Sequence, residues 1–427
     1  MSQFRYDWFS DRWIIFAPHR SHRPDEYSSS QETCLPHHDC PFCSGNEAET
    51  PLAVLLLPSQ PIEAKGEAKP QPDESAPSSN HEWKIARTKV PTRRSSGITP
   101  PQWKVRVVPN KFPALKTSQE ELFSAGIPTE ISFVSSHARG ARKKHSREVT
   151  NSLLSEVREA AIGLKQDPFR TSSQETEPLG ELFQSGDFHG AHEVFIECGD
   201  HLSSLTQLST DHIRLIIDAY QQRLRYHRKQ AGLRYGVVFK NSGSAAGATL
   251  SHLHSQLITT SFMPTEIQRL GERWQNFGQR HGICPICSMI DREIADGSRI
   301  VWESEQLVAI CPYASRCPYS LSIFPKNHQS QFESDHHSWS DELATHLLRT
   351  LKAMENAMPS VSYNYVIHTS PFREGIGDLF HWRIDLFPRL GKMAGFEWGS
   401  GSHINSVLPE EAARTFRLYF ATSEIET

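Results

Sequence analysis

Apolar residues recur along this chain at two spacings, and the switch between them predicts strands interrupted by helices. Trp13-Ile-Ile-Phe16 is a short extended run, and Trp103 to Pro113 carries Val105 and Val107 two apart before a Pro-Asn turn. Tyr235-Gly-Val-Val-Phe-Lys240 has the β-branched and aromatic content of a buried strand. Ile213, Ile216, Ile217, Tyr220 and Leu224 fall instead at helical spacing behind Ser209-Thr-Asp, whose short polar side chains suit a helix start. A helix from Ser209 to about His227 is expected, packed across the sheet that holds the Tyr235 strand. Beyond that strand the small residues of Asn241-Ser-Gly-Ser-Ala-Ala-Gly247 break the pattern, and the chain re-enters an extended run. At a period of two, His252, His254 and Gln256 project from one face of that run, while Leu253 and Ser255 project from the other.

The theme returns in the second half of the chain. Leu321 to His328 opens as a strand, Leu343, Leu347, Leu351 and Met354 mark a helix, and Tyr363 to His368 is again extended, so this half reads as a degenerate copy of the first. A length of 427 residues exceeds one ordinary core. The expected fold is α+β in two tandem halves, 1–264 and 265–427, each a mainly antiparallel sheet with packed helices. Two insertions interrupt the first half, at about 58–100 and 115–187. Pro58 to Ser79 is rich in Pro, Ser, Glu, Gln and Lys and reads as solvated. The second insertion holds Arg139, Arg142, Lys143, Lys144 and Arg147, a solvated charged loop rather than a site for an acidic partner, followed by an amphipathic helix with Leu153, Leu154, Val157, Ala161 and Leu164 on one face. A net charge of −4 gives no general attraction to nucleic acid or to an anionic membrane. No apolar run approaches bilayer length and the start is no signal peptide, so a cytoplasmic protein without nucleic-acid or membrane partners is expected.

Histidine at every second residue usually means two satisfied polar groups on a half-buried strand. Here the pair follows a Gly/Ser/Ala loop able to form an anion-binding nest, which suits nucleophilic attack on phosphorus with the oxyanions held by N–H groups. The eight cysteines include two Cys-x-x-Cys pairs, Cys40/Cys43 and Cys284/Cys287, which in a reducing compartment read as metal knuckles or redox sites.

Asn241, Gly243, Gly247, His252, His254 and Gln256 together resemble the signature of the galactose-1-phosphate uridylyltransferase family, the nucleotidyltransferase branch of the histidine triad superfamily, with Leu253 where Pro is commonest. The resemblance implies two histidine-triad-like halves and a ping-pong reaction. His254 would attack the α-phosphorus of a nucleoside-diphosphate sugar, while Gln256 and the loop from Asn241 to Thr249 hold the nonbridging oxygens and an acceptor on the other ring nitrogen fixes the tautomer. It also implies a zinc on Cys40, Cys43, His201 and His252; Cys34, His37 and His38, close before the first Cys pair, are rival ligands that no family motif places there. In the second half, His381-Trp-Arg383-Ile-Asp385 keeps only the first histidine. A second zinc on Cys284, Cys287, His328 and His381 is preferred there to the iron of some family members, with Cys311 and Cys317 as competitors.

Further resemblances place Arg20 and Arg23 near the nucleotide phosphates, Asn110 and Phe112 near the base or ribose, and Phe396 and Glu397 at the hexose, in a pocket that draws on a partner subunit of a homodimer. The function implied first is UDP-glucose–hexose-1-phosphate uridylyltransfer in galactose metabolism, with UDP-glucose and galactose 1-phosphate as substrates. An ADP-glucose phosphorylase is the near alternative. A zinc-bound nucleotide-binding protein without turnover is the alternative of another class.

Overall fold

The structure, a computed structural model, describes residues 3–18, 39–58, 103–115, 188–334, 339–373 and 379–422. Expectations placed on Arg20, Arg23, Cys34, His37, His38 and nearly all of the two insertions lie outside the described residues.

Two strands open the chain, β1 (Gln3–Asp7) and β2 (Arg12–Phe16). The first half then supplies β3 (Leu55–Pro58), β4 (Trp103–Pro109), β5 (His192–Ile196), β6 (Tyr235–Ser242) and β7 (His254–Thr260). The second supplies β8 (Ile300–Glu303), β9 (Leu307–Ile310), β10 (Leu321–Pro325), β11 (Tyr363–His368) and β12 (Arg383–Pro388), and β13 (His403–Asn405) returns to pair parallel with β2. Strands β3 to β12 form one ten-stranded antiparallel sheet in the order β3-β4-β5-β7-β6-β11-β12-β10-β9-β8. Each half contributes its strands in the same arrangement, the fifth slotted between the third and the fourth. The two sets meet at β6 and β11, where Asn241 lies opposite Asn364.

Side-chain alternation gives the sheet two buried faces. Helix α1 (Thr210–Lys229) lays Ile213, Ile216, Ile217, Tyr220 and Leu224 on one face. Two further helices, α2 (Thr265–His281) and α3 (Pro285–Asp296), cover the opposite face of the second half, where Leu270, Trp274, Ile286 and Ile290 meet Val308, Ile310 and Phe324. Helix α4 (Ser340–Ala357) joins α1 on its face, with Leu343, Leu347, Leu351 and Met354 in the shared core. A short helix α5 (Gly395–Ser400) and α6 (Pro409–Thr422) complete the described residues. Strand β9 shows the two-sidedness directly: Leu307 and Ala309 enter the α1–α4 core, Val308 and Ile310 the α2–α3 core. No helix among the described residues is long and apolar enough to cross a membrane.

Helix α1 starts as its sequence predicts, with Ser209 Oγ accepting from the His212 N–H at 3.3 Å, and runs on to Lys229. Two expectations are corrected. Strand β6 continues through Asn241 and Ser242, because both pair with β11 of the other half, a partner invisible in the local pattern. The extended run expected from before His252 begins as a strand only at His254. Leu253 instead bonds irregularly, its N–H to the Leu202 carbonyl and its carbonyl to the Glu197 N–H.

Glu193 on β5 is buried against α1, where Arg223 Nε donates to it at 2.8 Å and His227 Nε2 lies 2.9 Å away. Burial alone would push its carboxyl up, but His227 and Arg223 outweigh burial and bring it down to about 2 from an ordinary 4.5. A depressed carboxyl contributes stability above its unfolded value that is lost as pH falls through its folded one. Glu193→Gln is therefore expected to lower the unfolding midpoint at pH 7, with the gap from wild type closing between pH 4.5 and about 2. A gap independent of pH over that window in denaturant titrations would reject the ion-pair account.

Candidate active site and metal centres

Register places the catalytic-type side chains. Across β5 and β7, Ile196 lies opposite His254 and Val194 opposite Gln256, so His254 and Gln256 share the face turned away from α1. Leu253 and Leu257 enter the α1 core instead. His254 is 7% exposed and packs against Phe42, ring centroids 5.4 Å apart. Its Nδ1 lies 2.8 Å from the carbonyl oxygen of His252. A carbonyl only accepts, so Nδ1 carries the proton and Nε2 keeps its lone pair. Burial pushes the His254 pKa down, which favours the neutral ring. The result is a neutral imidazole with its Nε2 lone pair open.

Gln256 is oriented by a residue that the sequence did not single out. The Ala114 N–H donates to His192 Nδ1 at 3.1 Å, so the proton of His192 sits on Nε2 and is donated to Gln256 Oε1 at 2.7 Å. The amide NH2 of Gln256 is thereby turned away from His192. Asn110 stands beside this pair, its Oδ1 accepting from the Phe112 N–H and its Nδ2 3.0 Å from His192 Nε2, where both groups are donors and no hydrogen bond joins them, while Phe112 itself is 83% exposed. Only the β5–β7 register brings His192 to Gln256, which is why spacing along the chain could not reveal it.

The glycine loop is tighter than expected. Gly243 and Gly247 have φ of +82° and +87°, and a Cβ on Gly243 would come 2.3 Å from Ser362 Oγ. Between them the N–H groups of Ala246, Gly247 and Ala248 bond to the carbonyls of Gly243 and Ser244. The expected nest is thus partly closed on itself. Thr249 is exposed at its end. A small cleft joins Ser203, Asn241, Gly243, Ser251, Leu253 and His254.

Behind β7, on the α1 side, lies an ion pair that the sequence reading also missed. Lys240 bonds to the Glu197 carboxylate and donates to the His254 carbonyl at 3.0 Å, and both charged side chains are almost wholly buried. Tyr220 donates to Glu197 at 2.8 Å and stands 2.6 Å from Tyr365 and 2.8 Å from Ser255. The backbone of His254 is thereby held from one side while its ring faces the other.

Two Cys2His2 groups assemble, Cys40, Cys43, His201 and His252, and Cys284, Cys287, His328 and His381, each with its ligand atoms within 4.8 Å of one another. Their geometry fits a tetrahedral cation. Metal bonds of about 2.3 Å to sulfur and about 2.0 Å to nitrogen set sulfur–nitrogen edges of about 3.5 Å. The first group shows such edges at 3.3, 3.5 and 3.6 Å, and the second at 3.4, 3.5 and 3.9 Å. Tautomers agree: His252 Nε2 lies 3.0 Å from the Cys198 carbonyl and His381 Nε2 2.8 Å from that of Pro325, so each Nδ1 turns an open lone pair to the thiols. Each group could hold a metal ion. Cys311 and Cys317 belong to neither.

Glu397 accepts from the Ala394 N–H at 2.9 Å, capping α5, and Phe396 is 47% exposed. Neither is joined to His254 by a described hydrogen bond.

Comparison with known proteins follows the same lines. A family model described as "Galactose-1-phosphate uridyl transferase, N-terminal domain" matches residues 159–264. The chain is 26% identical over 423 residues to ADP-glucose phosphorylase from Arabidopsis thaliana, covering 97% of this chain and 92% of that protein. It is 28% identical over 263 residues to galactose-1-phosphate uridylyltransferase from Thermotoga maritima, covering 60% of this chain and 80% of the other. The crystal structure of the Arabidopsis enzyme with bound ADP-glucose aligns with a TM-score of 0.64 at 24% identity, over 98% of both chains.

Lys240→Met leaves the Glu197 carboxylate buried without its cation, a change expected to cost about 3–5 kcal/mol in denaturant unfolding. Adding Glu197→Gln should recover most of it. Equal stability of the single and double variants would show that the pair is not what holds this strand.

Proposed function

We propose that this chain, a relative of the galactose-1-phosphate uridylyltransferase family by sequence and fold, transfers a nucleotidyl group from a nucleoside-diphosphate sugar by way of His254. The observation that carries the reading is the His254–His252 contact, which leaves a neutral, buried imidazole with one nitrogen open. His254 Nε2 attacks the α-phosphorus, and the bond from that phosphorus to the oxygen bridging to the β-phosphate breaks. Sugar 1-phosphate leaves and a nucleotidyl-histidine remains, its Nδ1 proton still held by the His252 carbonyl. An acceptor phosphate oxygen then attacks the same phosphorus, the P–N bond breaks and neutral His254 returns. Gln256 and Asn241 supply amide donors to the nonbridging oxygens, with Gly243 and Gly247 admitting the phosphate close to the backbone. Arg20 and Arg23 are assigned to the phosphates, Asn110 and Phe112 to the nucleoside, and Phe396 and Glu397 to the sugar, in a homodimer.

Zinc is the cation proposed for both Cys2His2 groups, where it would supply structural cross-linking rather than Lewis acidity at the reacting phosphorus. Cys40, Cys43, His201 and His252 would hold one ion and Cys284, Cys287, His328 and His381 the other.

Two donors are in view. The end-to-end likeness to an ADP-glucose phosphorylase favours adenylyl transfer from ADP-glucose to phosphate, giving ADP and glucose 1-phosphate. Uridylyl transfer between UDP-glucose and galactose 1-phosphate rests on the partial-length relatives.

Incubation with each nucleotide sugar alone, read by intact mass and released glucose 1-phosphate, separates them: an adenylyl adduct discharged by phosphate against a uridylyl adduct discharged by galactose 1-phosphate. His254→Gly is expected to form neither adduct. Elemental analysis should find two zinc ions per chain in wild type and in His254→Gly, and one in Cys287→Ser. Turnover of His254→Gly at the wild-type rate would sink the nucleophile assignment.

A further inference from the structure

The second half has Arg383 where the first has His254, yet it reaches into the site. At the β6–β11 seam, Asn364 Nδ2 donates to Asn241 Oδ1 at 2.8 Å and to the Ala246 carbonyl at 2.8 Å, while Arg389 Nε donates to Asn364 Oδ1 at 2.5 Å. Asn364 is 8% exposed and lies directly opposite Asn241 in the register.

An amide can ordinarily turn over and exchange its ends, but here both outer partners have fixed roles. The guanidinium of Arg389 only donates and the Ala246 carbonyl only accepts. Asn364 therefore has one allowed orientation, with its NH2 toward Asn241. Asn241 must answer with its oxygen, which leaves its own NH2 free of the clamp. That NH2 lies over the glycine loop: a Cβ added to Gly247 would have Asn241 Nδ2 as its nearest contact, at 3.9 Å. Three N–H groups of the loop are already bonded within it, so the side-chain amides carry more of any anion contact.

We infer that Asn364, locked by Arg389, is a positioning residue that presets Asn241 as a donor to a phosphoryl oxygen. His192 does the same for Gln256 from the first half. Both amides thus present NH2 rather than oxygen to the anion, with no reorientation needed as charge develops. This rests on the reading that the glycine loop and Asn241 contact the transferred phosphoryl group.

Asn364→Asp tests it with little change in shape. A carboxylate at that position accepts from Asn241, turns its amide over and aims its oxygen at the phosphate. The full chain is mixed with ADP-glucose and with UDP-glucose, and nucleotidyl-enzyme formation is followed in a single turnover. Affinity for AMP and for UMP is measured alongside, with zinc content and unfolding midpoint as controls. Asn364→Asp is expected to form the adduct roughly tenfold or more slowly, the scale of losing one hydrogen bond to a charged group. Arg389→Met, which frees Asn364 to turn, should show a smaller loss that Arg389→Lys restores in part. A folded, zinc-loaded Asn364→Asp reacting at the wild-type rate overturns the inference and leaves the transfer reading standing. Wild type that binds AMP or UMP but forms no adduct overturns the transfer reading; the inference then stands if Asn364→Asp binds roughly tenfold more weakly, and falls if the affinities match. Wild type that binds neither nucleotide overturns both.

Discussion

The carbonyl of His252 is the point on which the rest of the site depends. It fixes the proton of His254 on Nδ1, and a His254 that could exchange tautomers would offer an open Nε2 only part of the time. That carbonyl is itself immobilised by the ring of its own residue, whose Nε2 reaches the Cys198 carbonyl and whose Nδ1 stands 3.5 and 3.6 Å from the thiols of Cys43 and Cys40. Lys240 grips the next carbonyl but one from the opposite side of the sheet. Structure and chemistry are therefore joined through a single residue of backbone.

The second half shows what the same scaffold does without that chemistry. His381 precedes β12 as His252 precedes β7, and its Nε2 meets the carbonyl of Pro325, three residues before His328, just as His252 meets that of Cys198, three before His201. Where the first copy has His254 and Gln256, the second has Arg383 and Asp385. Arg383 Nε donates to Asp385 at 2.9 Å, Ser322 donates to it at 2.7 Å, and His368 lies 3.2 Å away. Burial alone would raise the Asp385 carboxyl, but these partners hold it well below the usual carboxylate range. A closed ion pair fills the place of an imidazole with an open nitrogen.

Much of this was legible in the sequence where the cause is local. The α1 stripe, the Tyr363–His368 strand and the convergence of both Cys2His2 groups followed from periodicity and from motif resemblance. The structure departs where the cause is distant in the chain. Period-two reasoning carried the strand back past His252, but Leu253 is bonded to Leu202 and Glu197 rather than to a ladder. His192, Lys240 and Asn364 each act through a partner more than ten residues away, Gln256, His254 and Asn241 in turn. Lys240 looked like one more strand residue until its ammonium proved to be bonded to the buried Glu197 carboxylate.

The seam between β6 and β11 has one more consequence. Six consecutive residue pairs, from Tyr363 with Ser242 to His368 with Val237, close that junction. A chain severed between the halves would bare this row of N–H and C=O groups on each fragment, beside apolar surface meant for a shared core. Each fragment would be a template for strand addition, and its best complement would be the other. Joining both copies in one polypeptide keeps that complement at high effective concentration, so the adhesive edge of each half is hidden by the other before a foreign strand can occupy it.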